Sequence, residues 1–342
     1  MKNLARVVLA VAVLISSLPM LASDVATFDR TLKVTGPVDL EVVTGSGNIT
    51  IRNGAAGSLT VHGTVKAGCC SLFGGDDPAT AVKAIAANPP IEQSGNVVRV
   101  GHLGESQRHS SISVSYELVV PAETRLLSKT GSGNQDVSGV GGPAEVTTGS
   151  GNLRLSDIAG EVRAHTGSGG ISMMNLRGSV RAHTGSGHIH GEHVGFGGSP
   201  ETRAKDEGKK LAPGARASNS FSESSTASSA GRSNFDFQTS SGAIRANDFR
   251  GALRARTGSG SIDLQGQPTG DWSMTTGSGG IAVHLPAQAA FDLNAHTSSG
   301  SIHTNRQVTV QGTVGRHDLR GTVNGGGFHL DLRTGSGNIR ID

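Results

Sequence analysis

Apolar side chains recur at fixed distances from a short glycine-rich motif that is repeated along the chain. The motif is Thr, Gly or Ser, Ser, Gly, and it occurs ten times. Its threonines are Thr44, Thr130, Thr148, Thr166, Thr184, Thr239, Thr257, Thr276, Thr297 and Thr334. From Thr148 to Thr184 the copies follow one another every 18 residues. A repeat of this length predicts a stack of similar structural units.

Counting each unit from its threonine as position 0 assigns the side chains to an inner and an outer side. Positions −4 and −2 are mostly apolar, as in Val162 and Ala164, and positions +5, +7 and often +10 continue the pattern, as in Ile171 and Met173. Alternation with a period of two residues is typical of β-strands. The pattern therefore predicts an all-β fold, a β-solenoid (β-helix) with coils of about 18 residues in which each coil pairs with the next.

The motif itself is predicted to be the corner of each coil. A sharp corner favours glycine because glycine adopts positive φ without steric cost, and we expect both glycines of the motif to do so. The threonine hydroxyls can satisfy backbone groups and would form an aligned ladder. The predicted structural glycines include Gly149, Gly151, Gly167, Gly169, Gly185, Gly187, Gly258 and Gly260.

Some segments depart from the repeat. Asp77 and Pro78 begin a predicted short helix that ends before Pro89, and residues 67–90 are expected to cap one end of the stack. Residues 195–234, rich in Ser, Gly and charged residues, are predicted to be a long disordered insertion.

A second irregular stretch, 307–327, is expected to span about two coil lengths with a degenerate corner at 324–327. The domain organisation is then a signal peptide at 1–23, an N-terminal β region with the helical cap at 24–129, and solenoid repeats at 130–342.

The N-terminal segment changes how the charge of the chain is interpreted. Lys2 and Arg6 precede a short apolar run, which is typical of a secretory signal and too short for a membrane span. Removal of residues 1–23 lowers the net charge from +3 to +1, because it removes two basic and no acidic residues. The mature chain is therefore expected to be periplasmic, at the cell surface or secreted, without a transmembrane segment and without nucleic acid as a partner.

The only two cysteines, Cys69 and Cys70, are adjacent in the sequence. Adjacent cysteines do not join distant parts of a fold, and a bond between them requires a strained local ring. Three alternatives remain open: a vicinal disulfide, an intermolecular bridge, or a metal site that also uses His62.

The repeats resemble a known family. Thr-Gly-Ser-Gly-Asn-Ile units after a signal peptide, the segment LVVPAETRLLSKTGSGN at 118–134 and the closing GGGFHLDLRTGSGNIRID at 325–342 are similar to the bacterial putative adhesin family, a Gly-rich β-solenoid domain of unknown function. The resemblance covers 28–342 apart from the insertion. It implies an envelope or surface location and an adhesive role, with no catalytic residues and no cofactor. Gln135 and Gly191 depart from the family pattern, because each stands where an apolar residue is expected.

An enzymatic function is not supported by the repeated serines. A nucleophile needs a base and an oriented partner, and ten equivalent corners do not each have them. The glycine-rich corners also lack the lysine and the following helix of phosphate-binding loops. A polysaccharide-processing β-helix enzyme would need carboxylates at the same place on adjacent coils, and the phase of the repeat brings no such cluster together.

Four histidines within eleven residues are a candidate metal site. They are His183, His188, His190 and His193. Two of them, His188 and His190, share one strand face, so zinc, copper or nickel could bind there. The alternative is that they are ordinary solvated residues on a polar face.

A polar and often basic row precedes the motif on the outer side of the coils. The candidate polyanion-binding residues at positions −3 and −1 are Arg163, His165, Arg181, Arg254, Arg256 and Arg333. Arginines stacked at strand spacing could bind anionic glycans or lipopolysaccharide phosphates through charge-assisted hydrogen bonds. The alternative is that outward positions are simply polar.

These observations favour an exported, adhesin-like, non-catalytic binding or structural protein of the cell envelope or surface. Its partners would be anionic glycans or other envelope components. The alternative is a periplasmic regulatory or scaffold component with a protein partner.

Overall fold

The computed structural model describes residues 25–67, 78–102, 112–196, 235–310 and 315–342, which form 25 strands and one helix. The strands are β1 (Val25–Lys33), β2 (Val38–Ser46), β3 (Ile49–Asn53), β4 (Ser58–Ala67), β5 (Ile91–Ser94), β6 (Val97–Val100), β7 (Ile112–Val120), β8 (Thr124–Ser132), β9 (Gln135–Ser138), β10 (Ala144–Ser150), β11 (Leu153–Ser156), β12 (Val162–Ser168), β13 (Ile171–Met174), β14 (Val180–Ser186), β15 (Ile189–Val194), β16 (Phe235–Ser241), β17 (Ile244–Ser259), β18 (Ile262–Ser278), β19 (Ile281–His284), β20 (Phe291–Ser299), β21 (Ile302–Thr304), β22 (Thr309–Val310), β23 (Asp318–Val323), β24 (Phe328–Ser336) and β25 (Ile339–Ile341). The helix is α1 (Pro78–Ala87). The predicted signal peptide, Asp77, the cysteine pair Cys69 and Cys70, and 197–234 of the predicted insertion lie outside the described residues.

The strands lie on two faces of the coils. Face I contains the strands that lead into the Gly-Ser corner, and face II contains those that follow it; the long strands β17 and β18 contribute to both. Along the stack, face I runs β5, β6, β2, β8, β10, β12, β14, β16, β17, β18, β24, β20, β23 and β22. Face II runs β1, β4, β7, β3, β9, β11, β13, β15, β17, β18, β19, β25 and β21.

The alternation of apolar and polar positions is what holds the stack together. Val162 pairs with Val180 and Thr166 with Thr184 in parallel register, so equivalent positions lie directly above one another. The inward positions −4, −2, +5 and +7 form one continuous hydrophobic core. The all-β prediction is confirmed.

The core is not interrupted at the insertion or at the predicted boundary between regions. Strands β14 and β16 pair directly, with Val180 opposite Phe235, although 48 residues lie between the two strands in the sequence. Strand β8 crosses residues 129 and 130 and pairs with β2 on one side and β10 on the other. The described parts of 24–129 and 130–342 therefore share one stack.

The order of the coils differs from the expectation that each coil pairs with the next along the chain. Strands β2 and β3 lie between the β6/β7 coil and the β8/β9 coil. Strands β24 and β25 lie between the β18/β19 coil and the β20/β21 coil. The expectation is wrong at both ends. Strand β4 pairs antiparallel with the outer edge of β7, and β23 pairs antiparallel with the outer edge of β20. The inner edges of β7 and β20 therefore pair with β3 and β24.

Two other segments close the ends. Helix α1 packs against β1 and β4, and its Val82 and Ile85 side chains are buried in the common core. The irregular stretch 307–327, expected to span about two coil lengths, holds the antiparallel pair β22 and β23 in its described part.

The threonine ladder is present at all ten motifs. Each threonine is buried, and in nine units its hydroxyl donates to a glycine carbonyl oxygen of the adjacent coil, as from Thr166 Oγ1 to Gly151 O at 2.9 Å. Thr44, whose coil borders β7 on that side, donates to Val114 O instead. In the other nine units, a hydrogen bond from a buried threonine therefore joins the corner to the adjacent coil.

The two glycines of the corner are needed for different reasons. The second glycine has positive φ in most units, 150° at Gly169, and a Cβ there would lie 2.0 Å from Gly151 O. The first glycine does not have positive φ, but a Cβ at Gly167 would lie 2.6 Å from Gly149 O. The prediction of positive φ at both glycines is therefore wrong for the first glycine of the motif, which is restricted by the approach of the neighbouring coil instead. The first glycines concerned are Gly149, Gly167, Gly185 and Gly258.

At some of the second glycines, a side chain is excluded by the neighbouring coil rather than by a positive φ. Gly151 has φ of 159°, whereas Gly187 and Gly260 are outside the positive-φ region. A Cβ at either of these two would still lie 2.0 Å from the carbonyl oxygen of the glycine below.

The two departures from the family pattern are accommodated inside the stack. Gln135 is buried and bonds to Ser128, which occupies the −2 position where other units carry an apolar residue. Gly191 lies in β15 with only ordinary contact distances around an added Cβ, 3.5 Å to Val194 and 3.6 Å to Ala246. A polar pair thus fills one coil, and a small space remains in the other.

Candidate functional site

The outer side of face I brings two rows of polar side chains into register. At position −3 the consecutive coils carry Glu145, Arg163, Arg181, Asp236 and Arg254. At position −1 they carry Thr147, His165, His183, Gln238 and Arg256. These positions point away from the core because they alternate with the buried residues of the same strands.

Between these rows lies a shallow depression over strands β12 and β14, which we call the Arg-His pocket. Its volume is about 330 Å³. Arg163 and Arg181 border it in one row, and His165 and His183 border it in the other. The remaining lining residues are Glu145, Thr147, Ala164, Ala182, Asp236 and Gln238.

The two histidines of the pocket are stacked on each other. Their ring centroids are 5.0 Å apart and their planes differ by 17°. Partial burial, together with the neighbouring charge of His183, lowers the pKa of His165. The stack therefore favours the neutral imidazole at His165.

The arginines of the rows differ in their ion pairs. Arg163 pairs with Glu161 at 2.9 Å, and Arg333 pairs with Asp331 at 3.1 Å. Within the described part of the chain, Arg181, Arg254 and Arg256 have no carboxylate within 4.0 Å. These three guanidinium groups can therefore bind a ligand without first breaking an ion pair.

The six residues of the predicted basic edge all lie on face I, in three groups. Arg163, His165 and Arg181 occupy adjacent coils. Arg254 and Arg256 follow beyond the coil of Asp236 and Gln238. Arg333 lies beyond a further coil that carries Thr275. Interleaved neutral and acidic side chains divide the edge.

Sequence reasoning missed the two carboxylates of this site. Glu145 and Asp236 occupy the same −3 position as the arginines, one coil before and one coil after them. The phase of the repeat already contains this information for Glu145. For Asp236 it also requires that the coils on either side of the insertion stack directly.

Face I continues toward its N-terminal end with paired charges. Arg99 lies 3.4 Å from Glu41, and Arg125 lies 3.7 Å from Asp39. Both pairs line a second depression of about 610 Å³ that reaches Arg163. Unpaired arginines on face I are therefore concentrated from β14 onward.

The four histidines predicted to bind a metal lie in three different surroundings. His183 belongs to the stacked pair on face I, whereas His188 and His190 lie next to face II depressions lined by Asn152 and Arg154. His193 has φ of 52° at the second corner of its coil. Across the described residues, no group of three or more His, Cys, Asp or Glu is placed to hold a metal ion. The four-histidine site is therefore not formed, because the corner separates the strands that carry them.

His188 has a structural explanation instead. It occupies position +4, where the side chains of Asn48, Asn134 and Asn152 accept hydrogen bonds from the backbone of the next coil. His188 Nδ1 accepts from Ala243 N at 3.0 Å in the same way. Metal binding would disturb this bond, since the ring nitrogen that accepts it would have to be protonated or turned toward the metal.

His193 also has partners of its own. Its Nε2 lies 3.2 Å from Asp248, the residue at the equivalent corner of the next coil. Both residues have positive φ, as do Asp157 and Asn175 at the corresponding corners of earlier coils. Asp, Asn and His are the residues other than glycine that most often adopt this conformation. His193 thus belongs to a second column of corners.

No helix among the described residues is long and apolar enough to cross a membrane. The only helix found there, α1, has ten residues.

Three comparisons relate the chain to known proteins. No curated protein matches it. Similar solved structures include a putative adhesin from Parabacteroides distasonis ATCC 8503, with 10% identity over 93% of this chain and 97% of that chain and a TM-score of 0.34. A putative adhesin from Bacteroides fragilis NCTC 9343 has 11% identity over 93% and 97% of the two chains and a TM-score of 0.30.

A putative lipid binding protein from Parabacteroides distasonis ATCC 8503 has 10% identity over 92% of this chain and 96% of that chain, with a TM-score of 0.31. In the C-terminal third of the chain, residues 219–342 match the family described as Toastrack DUF4097.

Proposed function

We propose that this protein is an exported, non-catalytic binding protein of the cell envelope or surface, and that face I binds anionic glycans. The observation that carries the proposal is a set of arginines on one face, Arg181, Arg254 and Arg256, for which the described residues provide no carboxylate within 4.0 Å. Strands in adjacent coils are ~4.8 Å apart, so Arg181 and Arg254 are separated by roughly 10 Å. An extended anionic polymer can contact both groups at once.

The chemistry of face I supports binding rather than catalysis. Guanidinium groups recognise carboxylates, sulfates and phosphates through paired hydrogen bonds. The two carboxylates of the Arg-His pocket lie at opposite ends of it, each in register with an arginine. Paired charges on the N-terminal part of face I direct a polyanion toward the coils from β12 to β17.

The test is retention of the mature chain, residues 24–342, on immobilised heparin and on lipopolysaccharide over a salt gradient. Substitution of Arg163, Arg181 and Arg256 by Ala should lower the salt concentration at elution, because screening weakens the remaining contacts. A matched control replaces three face II arginines, Arg52, Arg154 and Arg245, by Ala and removes the same charge.

Equal elution of the face I variant and the unchanged protein would contradict the proposal. Loss of retention in both variants would assign binding to total charge rather than to face I. A protein that is not retained at all would direct the search to a protein partner, through cross-linking in the envelope.

A further inference from the structure

The Arg-His pocket combines permanent and titratable positive groups in two adjacent coils. Arg163 and Arg181 are directly in register, and so are His165 and His183. The four side chains border one shallow space of about 330 Å³. An anion placed there would meet donors from both strands, β12 and β14.

The charge of the pocket depends on the histidines. The arginines at its border are matched by the two carboxylates Glu145 and Asp236, which occupy the same row on the flanking strands. While both imidazoles are neutral, the lining residues carry no net charge. Protonation of His165 and His183 gives the pocket up to two positive charges.

The surroundings of the histidines come from four strands and contain few other charges. Strand β10 contributes Glu145, β12 contributes Arg163 with its partner Glu161, β14 contributes Arg181, and β16 contributes Asp236. In the row of the histidines themselves, the flanking residues Thr147 and Gln238 are neutral. Two stacked imidazolium groups at a centroid distance of 5.0 Å repel each other, and the neutral side chains beside them do not offset this repulsion. A bound anion would offset it.

We propose that the Arg-His pocket binds a sulfate ester of an anionic glycan, and that it does so when His165 and His183 are protonated. The inference rests on the proposed glycan-binding function of face I and names the ligand group and its control by pH. Binding is strong under mildly acidic conditions and weak near neutral pH.

The geometry favours a sulfate ester over a carboxylate. A sulfate ester has three terminal oxygens and a carboxylate has two, while the pocket presents two guanidinium and two imidazolium groups as donors. A sulfate ester is also the anion of a strong acid, so its charge does not change over the range in which histidine titrates. A phosphate monoester loses negative charge in that range, since its second pKa is about 6.

The test uses the mature chain in isothermal titration calorimetry at about pH 5.5 and about pH 7.5. The probes are glucose 6-sulfate and glucuronate, at constant ionic strength set with chloride. We expect glucose 6-sulfate to bind about tenfold or more tightly at the lower pH, with proton uptake, and glucuronate to bind more weakly.

The decisive variant is His165→Gln with His183→Gln. Glutamine is the natural residue at the equivalent position 238, so the fold tolerates it there. The double variant should lose the pH dependence and bind glucose 6-sulfate weakly at both pH values. A control, His190→Gln with His303→Gln, removes two imidazoles from face II and should keep the pH dependence.

Equal affinity at the two pH values, or an unchanged pH dependence in the His165 and His183 variant, would overturn the proposal. Glucuronate binding as tightly as glucose 6-sulfate would overturn the assignment to sulfate. If these outcomes occur while retention on heparin still depends on the face I arginines, the pocket assignment fails and the proposed function stands. If the arginine dependence is also absent, both fail.

Discussion

Ser128 Oγ and Gln135 Oε1 lie 2.5 Å apart inside the stack, with both side chains buried. The amide nitrogen of Gln135 donates to Thr147 O at 2.5 Å in the neighbouring coil. The two residues occupy positions −2 and +5, which are apolar in the coil that follows, at Val146 and Leu153. A matched polar pair thus replaces a matched apolar pair.

This pairing predicts a non-additive result for Ser128→Ala and Gln135→Leu. Each single substitution leaves a buried polar atom without its partner, which costs about 1–3 kcal/mol in the free energy of unfolding. The double variant restores the apolar pattern and should be more stable than either single variant. Urea unfolding of all four proteins measures the coupling, and costs that simply add would contradict the prediction.

The corner glycines should differ in their tolerance of alanine. Gly169→Ala places a side chain on a residue with φ of 150° and brings its Cβ to 2.0 Å from Gly151 O. This substitution should destabilise the fold by about 2–4 kcal/mol. Gly167→Ala should cost at least ~1 kcal/mol less, because serine occupies the equivalent position at Ser240 and Ser298. Unfolding midpoints of the two variants make the comparison, and a larger loss at Gly167 would show that the account of the corner is incorrect.

The buried threonine ladder should be sensitive to loss of its hydroxyls. Thr166→Val keeps the size of the side chain but removes the donor to the half-buried carbonyl oxygen of Gly151, and should cost about 0.5–1.5 kcal/mol, the net contribution of a hydrogen bond. Thr166→Ser keeps the donor and tests the methyl group alone. The control Ser168→Ala changes an exposed side chain of the same corner and should stay within about 0.5 kcal/mol of the unchanged protein. Thermal unfolding that is equally affected by Thr166→Val and Ser168→Ala would speak against the ladder.

Acidification should destabilise the unliganded protein through His165. Burial and the neighbouring charge of His183 lower the pKa of His165 in the folded chain. The unfolded chain therefore binds this proton first, and the stabilising contribution is lost as the pH falls below about 6.5 toward the folded pKa. Between about pH 7.5 and 5.5, in sulfate-free buffer, His165→Gln should lose less stability than the unchanged protein. His190→Gln provides the control on face II, and parallel pH profiles for all three proteins would refute the prediction.

Much of the fold could be predicted from the local sequence pattern. The period of the apolar residues determines which side chains are inside, and Val162, Ala164, Ile171 and Met173 are all buried as expected. This information is local because a β-strand places alternate side chains on opposite sides. The stacking order could not be predicted in the same way. Each coil presents similar inward residues and the same threonine, so the pattern alone does not distinguish β24 from β20 as the neighbour of β18.

The candidate site was predictable only in part for a related reason. Position −3 and position −1 identify outward residues such as Arg181 and Arg256, but not the partners that lie beside them. The acidic neighbour Asp236 follows the insertion, and its place next to Arg181 is fixed by the pairing of β14 with β16. The four histidines of the predicted metal site are close in sequence, but a sharp corner separates them, and no group of three or more metal-binding side chains is found among the described residues.

The inner position of the last coil has a consequence for how the protein is made. The segment of β24 and β25 follows β20 and β21 in the sequence, but it lies between the β18/β19 coil and the β20/β21 coil in the stack. These coils therefore cannot take their final places in the order in which they leave the ribosome. The β20/β21 coil is synthesised earlier but reaches its final place only after β24 and β25 have paired with β18 and β19, so a chain without β24 and β25 loses an inner layer of the stack.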